Sequence, residues 1–174
     1  MRGRKRVAVA ECYTEYLLLE VMGVPHGRRK HQSGLSESVK AVVKGAAEVA
    51  LIDEDPGKPQ PKAIKEHFVP TNESDYLVVL EHKRKTGGVL IRMRPDFEGL
   101  VVRLCRECGV DPAELSLPSE EDALRREIRQ RIGDRRFRDR VRNLLLALKE
   151  AKSDAFTTLE RVLVETAVMS KEGM

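Results

Sequence analysis

The chain has 174 residues, of which 41% are hydrophobic and 34% are charged, and this length suits one domain with a hydrophobic core of its own. No apolar stretch approaches the roughly 18 residues of a membrane span. Three cysteines are too few for a disulfide framework, so we expect a cytoplasmic protein that does not enter membranes. The formal net charge is +4, and the absence of Trp with only 4% aromatic residues argues against extensive aromatic stacking on nucleic-acid bases.

The N-terminal part of the chain has the pattern of a strand followed by a helix. Residues Val7–Ala10 form a short apolar run that predicts a buried strand, and this strand ends at Glu11. A helix is predicted from Tyr13 to Met22, because its apolar positions suit packing on more than one side and Gly23 follows it. Residues 26–34 are polar and basic, which predicts a loop.

A second helix and strand follow this loop. Ser36 is the predicted N-cap of a helix whose valines share one face. Val49–Ile52 predicts the next strand, which ends in Asp53-Glu54-Asp55. The two prolines of Pro56–Pro59 then predict a loop.

Two more strands are predicted at Tyr76–Leu80 and Val89–Met93, and the six-residue link between Lys83 and Gly88 is compatible with a hairpin. An amphipathic helix then opens at Pro95-Asp96 and ends at Gly109. Its two cysteines lie on the apolar stripe, which favours core packing over a zinc or redox pair.

From Ser119 onward the strand pattern stops, and the apolar spacing predicts three helices. The whole pattern predicts an α/β domain over residues 1–112, with a mostly parallel, Rossmann-like sheet flanked by helices. Residues 113–174 are predicted to be a helical extension. This extension packs either on the domain or on a partner subunit, where it would form a homodimer, and the pattern leaves both arrangements open.

Acidic residues follow two of the predicted strands. Glu11 comes after the first strand, and Asp53 and Asp55 come after the second. Because neighbouring parallel strands finish at the same edge of a sheet, we expect these carboxylates to lie close together there. Asp53 and Asp55 would point to the same side of an extended backbone. Carboxylate oxygens suit Mg²⁺ or Mn²⁺, so we favour a metal site over ordinary solvated loop acids.

The same residues resemble the motifs of the Toprim domain, which occurs in topoisomerases, bacterial primases, the overcoming-lysogenization-defect nucleases and small stand-alone proteins. The first motif of that family is an apolar strand followed by Glu, usually Gly, any residue, Ser or Thr, and an acid. The second is an apolar strand followed by Asp-x-Asp and a nearby Gly. The present chain has Glu11-Cys12-Tyr13-Thr14-Glu15 and Asp53-Glu54-Asp55 with Gly57, and the resemblance covers about residues 5–100.

The resemblance implies a Toprim-like fold, a general acid/base or metal-associated role for Glu11, and Mg²⁺ binding by Asp53 and Asp55. Cys12 stands where the family usually has Gly. Nuclease-type members carry an additional metal-binding acid after the later strands, and Glu98 is the best match to it. A plain surface position for Glu98 stays open, and the neighbouring Asp96 is interpreted as a helix N-cap.

Basic residues are concentrated in a few segments. Arginine makes up 20 of the 32 basic residues, and residues 125–142 hold nine Arg against three acids. Such clusters are typical of proteins that bind polyanions, although a chain with only five Asn and Gln also matches a thermophilic surface. The predicted phosphate and nucleic-acid contacts are Arg28, Arg29, Lys30, Arg135 and Arg136, with Lys83 as a catalytic residue that stabilises phosphoryl charge.

The function that these patterns predict is Mg²⁺- or Mn²⁺-dependent phosphodiester chemistry on DNA or RNA, carried out by a nuclease. Two alternatives stay open at this point. One is a non-catalytic Toprim-fold module that binds nucleic acid or assembles with it in repair or defence. The other is a phosphohydrolase that acts on a small phosphorylated molecule.

Overall fold

The protein is an α/β structure built around one six-stranded sheet. The computed structural model describes residues 4–84 and 87–170. Residues 85–86 of the predicted hairpin link, and the two ends of the chain, lie outside the described residues. The helices are α1 (Tyr13–Val21), α2 (Leu35–Val43), α3 (Lys62–His67), α4 (Phe97–Cys108), α5 (Glu121–Arg131), α6 (Arg135–Glu150) and α7 (Asp154–Glu165). The strands are β1 (Ala8–Ala10), β2 (Arg29–His31), β3 (Val49–Asp53), β4 (Phe68–Glu73), β5 (Leu77–His82) and β6 (Val89–Met93).

The sheet has the order β2-β1-β3-β6-β5-β4. Strands β2, β1, β3 and β6 are neighbours that run parallel to one another; beyond β6, β5 pairs antiparallel to β6, and β4 pairs antiparallel to β5. The carboxyl ends of the four neighbouring parallel strands therefore meet at one edge of the sheet, where parallel α/β proteins bind their ligands. The predicted α/β fold with a mostly parallel, Rossmann-like sheet is confirmed.

The two faces of the sheet bury separate cores, because successive residues of a strand point to opposite sides. Ala50 and Ile52 of β3 pack with valines of α2 and with Ile64 of α3. Val49 and Leu51 face the larger core, to which α1 and α4–α7 contribute. The C-terminal helices thus cover one face of the sheet. The division of the chain at residue 112 into two units stays a prediction.

Ionic and backbone contacts fasten α6 to α1 at the surface of this larger core. Arg142 Nε donates to Glu20 Oε1 at 3.0 Å, and Lys149 Nζ donates to the carbonyl of Val21 at 3.0 Å. Within the described segments, no helix is both long and apolar enough to cross a bilayer.

Two local predictions differ from the structure, and two elements lie where the sequence pattern predicts none. Residues 29–31 were expected in a loop but form β2, a charged edge strand that pairs in parallel with β1. The N-cap of α2 is Gly34, so the assignment of this cap to Ser36 is wrong. The stretch between Pro61 and Glu73, which carries little periodic pattern, forms α3 and the outer strand β4.

Candidate metal centre

Three carboxylates converge at the carboxyl edge of the sheet. Glu11 directly follows β1, Asp53 is the last residue of β3, and Glu15 lies in the first turn of α1. Each offers an oxygen, and these oxygens all lie within 4.8 Å of one another. The parallel pairing of Ala10 with Leu51 brings the two strand ends side by side, which confirms that Glu11 and Asp53 meet at this edge.

Backbone hydrogen bonds hold two of these carboxylates in place. Glu11 Oε2 accepts from the amide of Asp53 at 3.1 Å. Asp53 Oδ1 accepts from the amide of Phe97 at 2.9 Å, which ties it to the start of α4. Each of these two carboxylates uses one named oxygen in its backbone hydrogen bond and has a second oxygen besides.

Glu15 is the most constrained member of the cluster. Its side chain is fully buried, and Oε2 accepts from Thr14 Oγ1 at 2.8 Å. Oε1 is also buried, and no hydrogen-bond donor from the described part of the chain reaches it. A buried carboxylate oxygen without a partner costs several kcal/mol, so this side chain requires either a proton or a cation beside it.

Burial and mutual repulsion raise the pKa values of all three acids. Burial raises the pKa of Asp53, and the charges of Glu15 and Glu11 add to the effect. Burial raises the pKa of Glu15 to about 7, against the opposing hydrogen bond from Thr14. Burial raises the pKa of Glu11 as well, with a further contribution from Asp55. A divalent cation among these oxygens would favour their ionised forms and remove the repulsion.

The three acids open into a cleft of about 360 Å³. Its lining comes from the ends of β1, β2 and β3, from the starts of α1 and α4, and from α5. Two cationic side chains on its rim, Lys58 and Arg129, are exposed. Because Arg129 belongs to α5, the helical extension contributes directly to the lining of the cleft.

Arg125 fastens α5 to the start of α4. Its guanidinium contacts Asp96 Oδ2 at 2.6 Å, Glu121 Oε1 at 2.7 Å and Asp122 Oδ1 at 2.8 Å. The two helices also approach each other closely at Gly99. A Cβ at this position would lie 2.7 Å from Pro95 Cδ and 3.0 Å from Glu121 Oε1.

Asp55 lies in the cleft but not in the three-carboxylate group. The prediction that Asp53 and Asp55 leave an extended backbone on one face is wrong, because β3 ends at Asp53 and Asp55 has a left-handed φ of 46°. Asp55 instead pairs with Lys58, with 3.2 Å between Oδ2 and Nζ. Both side chains remain on the wall of the cleft.

Glu98 and Asp96 occupy the first turn of α4 and its cap. Asp96 is the N-cap, as predicted, and Oδ1 accepts from the amide of Gly99 at 2.8 Å. Glu98 lines the cleft, where burial raises its pKa against the lowering effect of Arg125 and Arg129. Metal binding by Glu98 and Asp55 stays a prediction.

Lys83 does not belong to this site. It follows β5, which runs antiparallel to β6: Leu77 pairs with Met93, and Glu81 pairs with Val89. The end of β5 therefore lies at the edge of the sheet opposite the carboxylates. Lys83 Nζ donates to the carbonyl of Lys65 at 2.9 Å there, so its assignment as a catalytic residue is wrong.

The basic segment after α1 is mainly structural. Arg29 Nη1 donates to the carbonyl of Val24 at 2.7 Å, and Arg29 pairs with Glu20 at 3.2 Å. Arg28 donates to the carbonyls of residues 167 and 168, which follow α7. These two arginines hold elements together, and their role as nucleic-acid contacts stays a prediction, as does that of Lys30. Lys30 is exposed on the edge strand β2.

Arg135 and Arg136 are exposed in the first turn of α6, outside the cleft lining. Neither makes an ion pair with a residue in the described ranges. Their role in binding nucleic acid stays a prediction.

No family model, curated protein or solved structure matches this chain. The interpretation of the cleft therefore rests on the geometry and chemistry of its own residues.

The sequence reasoning missed Glu15 as a member of the acidic group and Arg129 as a rim cation. Glu15 stands between Glu11 and three consecutive buried leucines, and a carboxylate on the inward side of a helix is a signal of a special environment. Arg129 had no distinguishing signal among nine arginines in its segment. Its place in the cleft lining is evident only from the packing of α5 against α4.

Proposed function

We propose that this chain is a Toprim-type, Mg²⁺- or Mn²⁺-dependent phosphodiesterase that acts on nucleic acid. The observation that carries the proposal is the buried carboxylate of Glu15: its Oε1 receives no hydrogen bond from the described residues, and one of its oxygens lies within 4.8 Å of oxygens of Glu11 and Asp53. Structural acids rarely occupy such a position, because hydrogen bonds or ion pairs usually compensate buried charges.

The donor set fits a hard divalent cation. Glu11, Glu15 and Asp53 would hold it through carboxylate oxygens, which are the ligands that Mg²⁺ and Mn²⁺ prefer. The ligand types do not fit a zinc site of the usual kind, which relies on His and Cys side chains. When bound, the cation polarises a phosphate oxygen and lowers the pKa of water.

The surrounding side chains suit the remaining tasks of phosphodiester cleavage. Lys58 and Arg129 stand on the rim, where they would bind the non-bridging phosphate oxygens. Glu11 lines the cleft, so a carboxylate oxygen that is not bound to the cation would suit proton exchange with water or with the leaving oxygen. The acids of the cleft alone would repel a phosphate, and the rim cations offset this repulsion.

A polyanionic substrate is supported by exposed cations outside the cleft lining. Arg126 belongs to α5, the helix that also carries Arg129, and Arg135 and Arg136 lie in the first turn of the next helix, α6. Exposed arginines of this kind are typical of proteins that bind a nucleic-acid backbone.

Asp53→Asn is the direct test of this proposal. Asn retains an oxygen that can accept from the amide of Phe97, so the fold is kept while the charge is lost. We expect Mg²⁺ and Mn²⁺ to raise the melting temperature of the wild type and to support cleavage of DNA or RNA. Asp53→Asn should abolish the shift and lower cleavage by roughly a hundred-fold or more.

Asp111→Asn is the matched control, because Asp111 caps a 3₁₀ turn by accepting from the amide of Ala113 at 2.9 Å, away from the cleft. It should leave both readouts unchanged. A wild type with no metal-induced shift would refute the metal site. Salt-sensitive binding of nucleic acid without cleavage, unaffected by Asp53→Asn, would identify a binding module. Turnover confined to small phosphomonoesters would identify a phosphohydrolase.

A further inference from the structure

An exposed aromatic pair stands at the mouth of the cleft. The rings of Tyr13 and His31 stack with 4.7 Å between their centroids and 17° between their planes. Both residues line the same cleft as Glu11 and Asp53. Tyr13 is 57% exposed, the largest exposed fraction for a big hydrophobic side chain among residues 4–84 and 87–170.

Two features of the backbone bring this pair to the acids. Tyr13 is the first residue of α1, two positions after Glu11. His31 is the last residue of β2, and it pairs with Ala10 in the parallel register, so its backbone lies beside the end of β1. The position of the pair is therefore fixed by the same sheet edge that positions the carboxylates.

Neither ring is needed to hold the fold together. Neither makes a side-chain hydrogen bond within the described parts of the chain, and both residues are exposed. Their rings are therefore accessible to a ligand in the cleft, whereas the other tyrosines, Tyr16 and Tyr76, pack against the main core.

We propose that the Tyr13–His31 pair is a stacking platform for one unpaired nucleobase of the substrate. The inference rests on the proposed function, since the phosphate of that nucleotide would be held at the acids and the rim cations. A nucleotide carries a flat base one sugar away from its phosphate, and the cleft offers a flat aromatic surface next to a phosphate site. Stacking on one platform is tolerant of base identity, because every base has a π face.

The platform selects against intact duplex. A paired base has both faces covered by its neighbours in the helix, so it reaches Tyr13 only after it leaves the stack. The site should therefore prefer single strands, flaps or frayed ends, and it should do so without strong sequence preference.

Binding of a labelled short single-stranded oligonucleotide, measured by fluorescence anisotropy with Ca²⁺ in place of Mg²⁺, tests this platform. Tyr13→Ala should weaken binding roughly five- to 150-fold, the range that corresponds to about 1–3 kcal/mol for one stacked base. Tyr13→Phe should restore the wild-type affinity, and binding of a duplex of the same sequence should be unchanged in both variants. The matched control is Tyr76→Ala, at a ring that lies over Arg103 and outside the cleft lining; it should bind as the wild type does.

An oligonucleotide with abasic positions separates stacking from a general loss of affinity. The wild type should bind it about as weakly as Tyr13→Ala binds the normal strand, and Tyr13→Ala should bind both strands equally. If Tyr13→Ala binds the normal strand as tightly as the wild type, or loses affinity equally for both strands, the platform is refuted. If the protein binds the normal strand more tightly than the abasic strand but cleaves neither, the proposed hydrolysis is refuted and the platform is supported. If cleavage depends on Asp53 but is unchanged by Tyr13→Ala, the platform is refuted and the proposed hydrolysis is supported.

Discussion

Replacement of Glu15 by Gln has two opposite expected effects, and together they test the metal centre. Gln has nearly the same shape as Glu but carries no charge and can donate a hydrogen bond to the neighbouring acids. Without metal, the variant no longer holds a buried charge beside Glu11 and Asp53, so it should be more stable than the wild type at alkaline pH. With metal, it lacks one anionic ligand, so it should gain less stability from the cation.

The magnitude follows from the pKa of Glu15, which burial raises from 4.5 to about 7. The folded state then binds more protons than the unfolded state between these two values, so stability falls as the pH rises through this window. Complete ionisation costs about 3 kcal/mol at 1.36 kcal/mol per pKa unit. For a chain of this size, the metal-free variant should melt roughly 6–12 °C above the wild type at pH 8. The two proteins should converge near pH 4.

The assay is thermal or urea unfolding in a chelating buffer from pH 4 to pH 8, repeated with saturating Mg²⁺ or Mn²⁺. A cation at a hundred times its dissociation constant should stabilise the wild type by about 3 kcal/mol, and the variant by less than half of that. The slope of stability against pH in the metal-free series should be shallower for the variant than for the wild type.

Glu48→Gln is the matched control for a buried glutamate. Glu48 Oε2 accepts from the amide of Val7 at 2.8 Å, and Oε1 accepts from Arg6 at 3.4 Å, so both of its oxygens have partners. This variant should lose about 1–3 kcal/mol of stability and keep the full metal-induced shift. A Glu15→Gln protein that is less stable than the wild type at pH 8, with an unchanged metal shift, would refute the reasoning.

Two further predictions concern the helical extension. Arg129→Gln should weaken binding of a short oligonucleotide roughly five- to ten-fold, because it would remove a charge-assisted contact to phosphate. The control is Arg126→Gln, on the same helix but outside the cleft lining, which should have the smaller effect. Equal effects of the two changes in a binding titration would show that Arg129 contributes only to the general positive charge. Phe137→Ala should lower the free energy of unfolding by about 3–5 kcal/mol, because this fully buried ring belongs to the core that the helical extension shares with the sheet. The protein should still unfold in one cooperative transition, and two separate transitions in calorimetry would contradict a shared core.

The apolar strands and amphipathic helices could be predicted from the sequence because burial itself produces their patterns. β1, β3 and β6 are apolar runs covered on both faces, and the stripe of α4 ends at a glycine with a left-handed φ. β2 could not be predicted in this way, since its pairing with β1 uses the backbone while its side chains are charged.

The candidate site could be predicted only for residues at the ends of neighbouring parallel strands, because these ends lie at the same edge of the sheet. Glu11 and Asp53 follow such strands, so their meeting was expected. The position of Lys83 could not be predicted in this way. Lys83 follows β5, which runs antiparallel to its neighbour β6, so it lies at the edge of the sheet opposite Glu11 and Asp53. Arg129 lines the cleft because α5 packs against α4, and no local sequence pattern predicts that packing. The lack of a hydrogen-bond donor to Glu15 Oε1 among the described residues depends on the side chains around it, which the sequence alone does not reveal.

The tight packing around Gly99 links the contact between two helices to the cleft. A Cβ at this position would lie 2.7 Å from Pro95 Cδ and 3.0 Å from Glu121 Oε1, the oxygen that pairs with Arg125. Arg125 also holds Asp96, the residue after Pro95, so a side chain at position 99 would disturb the contact that fastens α5 to the start of α4. Arg129 belongs to α5 and lines the cleft, so its position would be affected although none of the three converging carboxylates had changed. Under the proposed function, a residue that touches no substrate would thus influence how a phosphate is held.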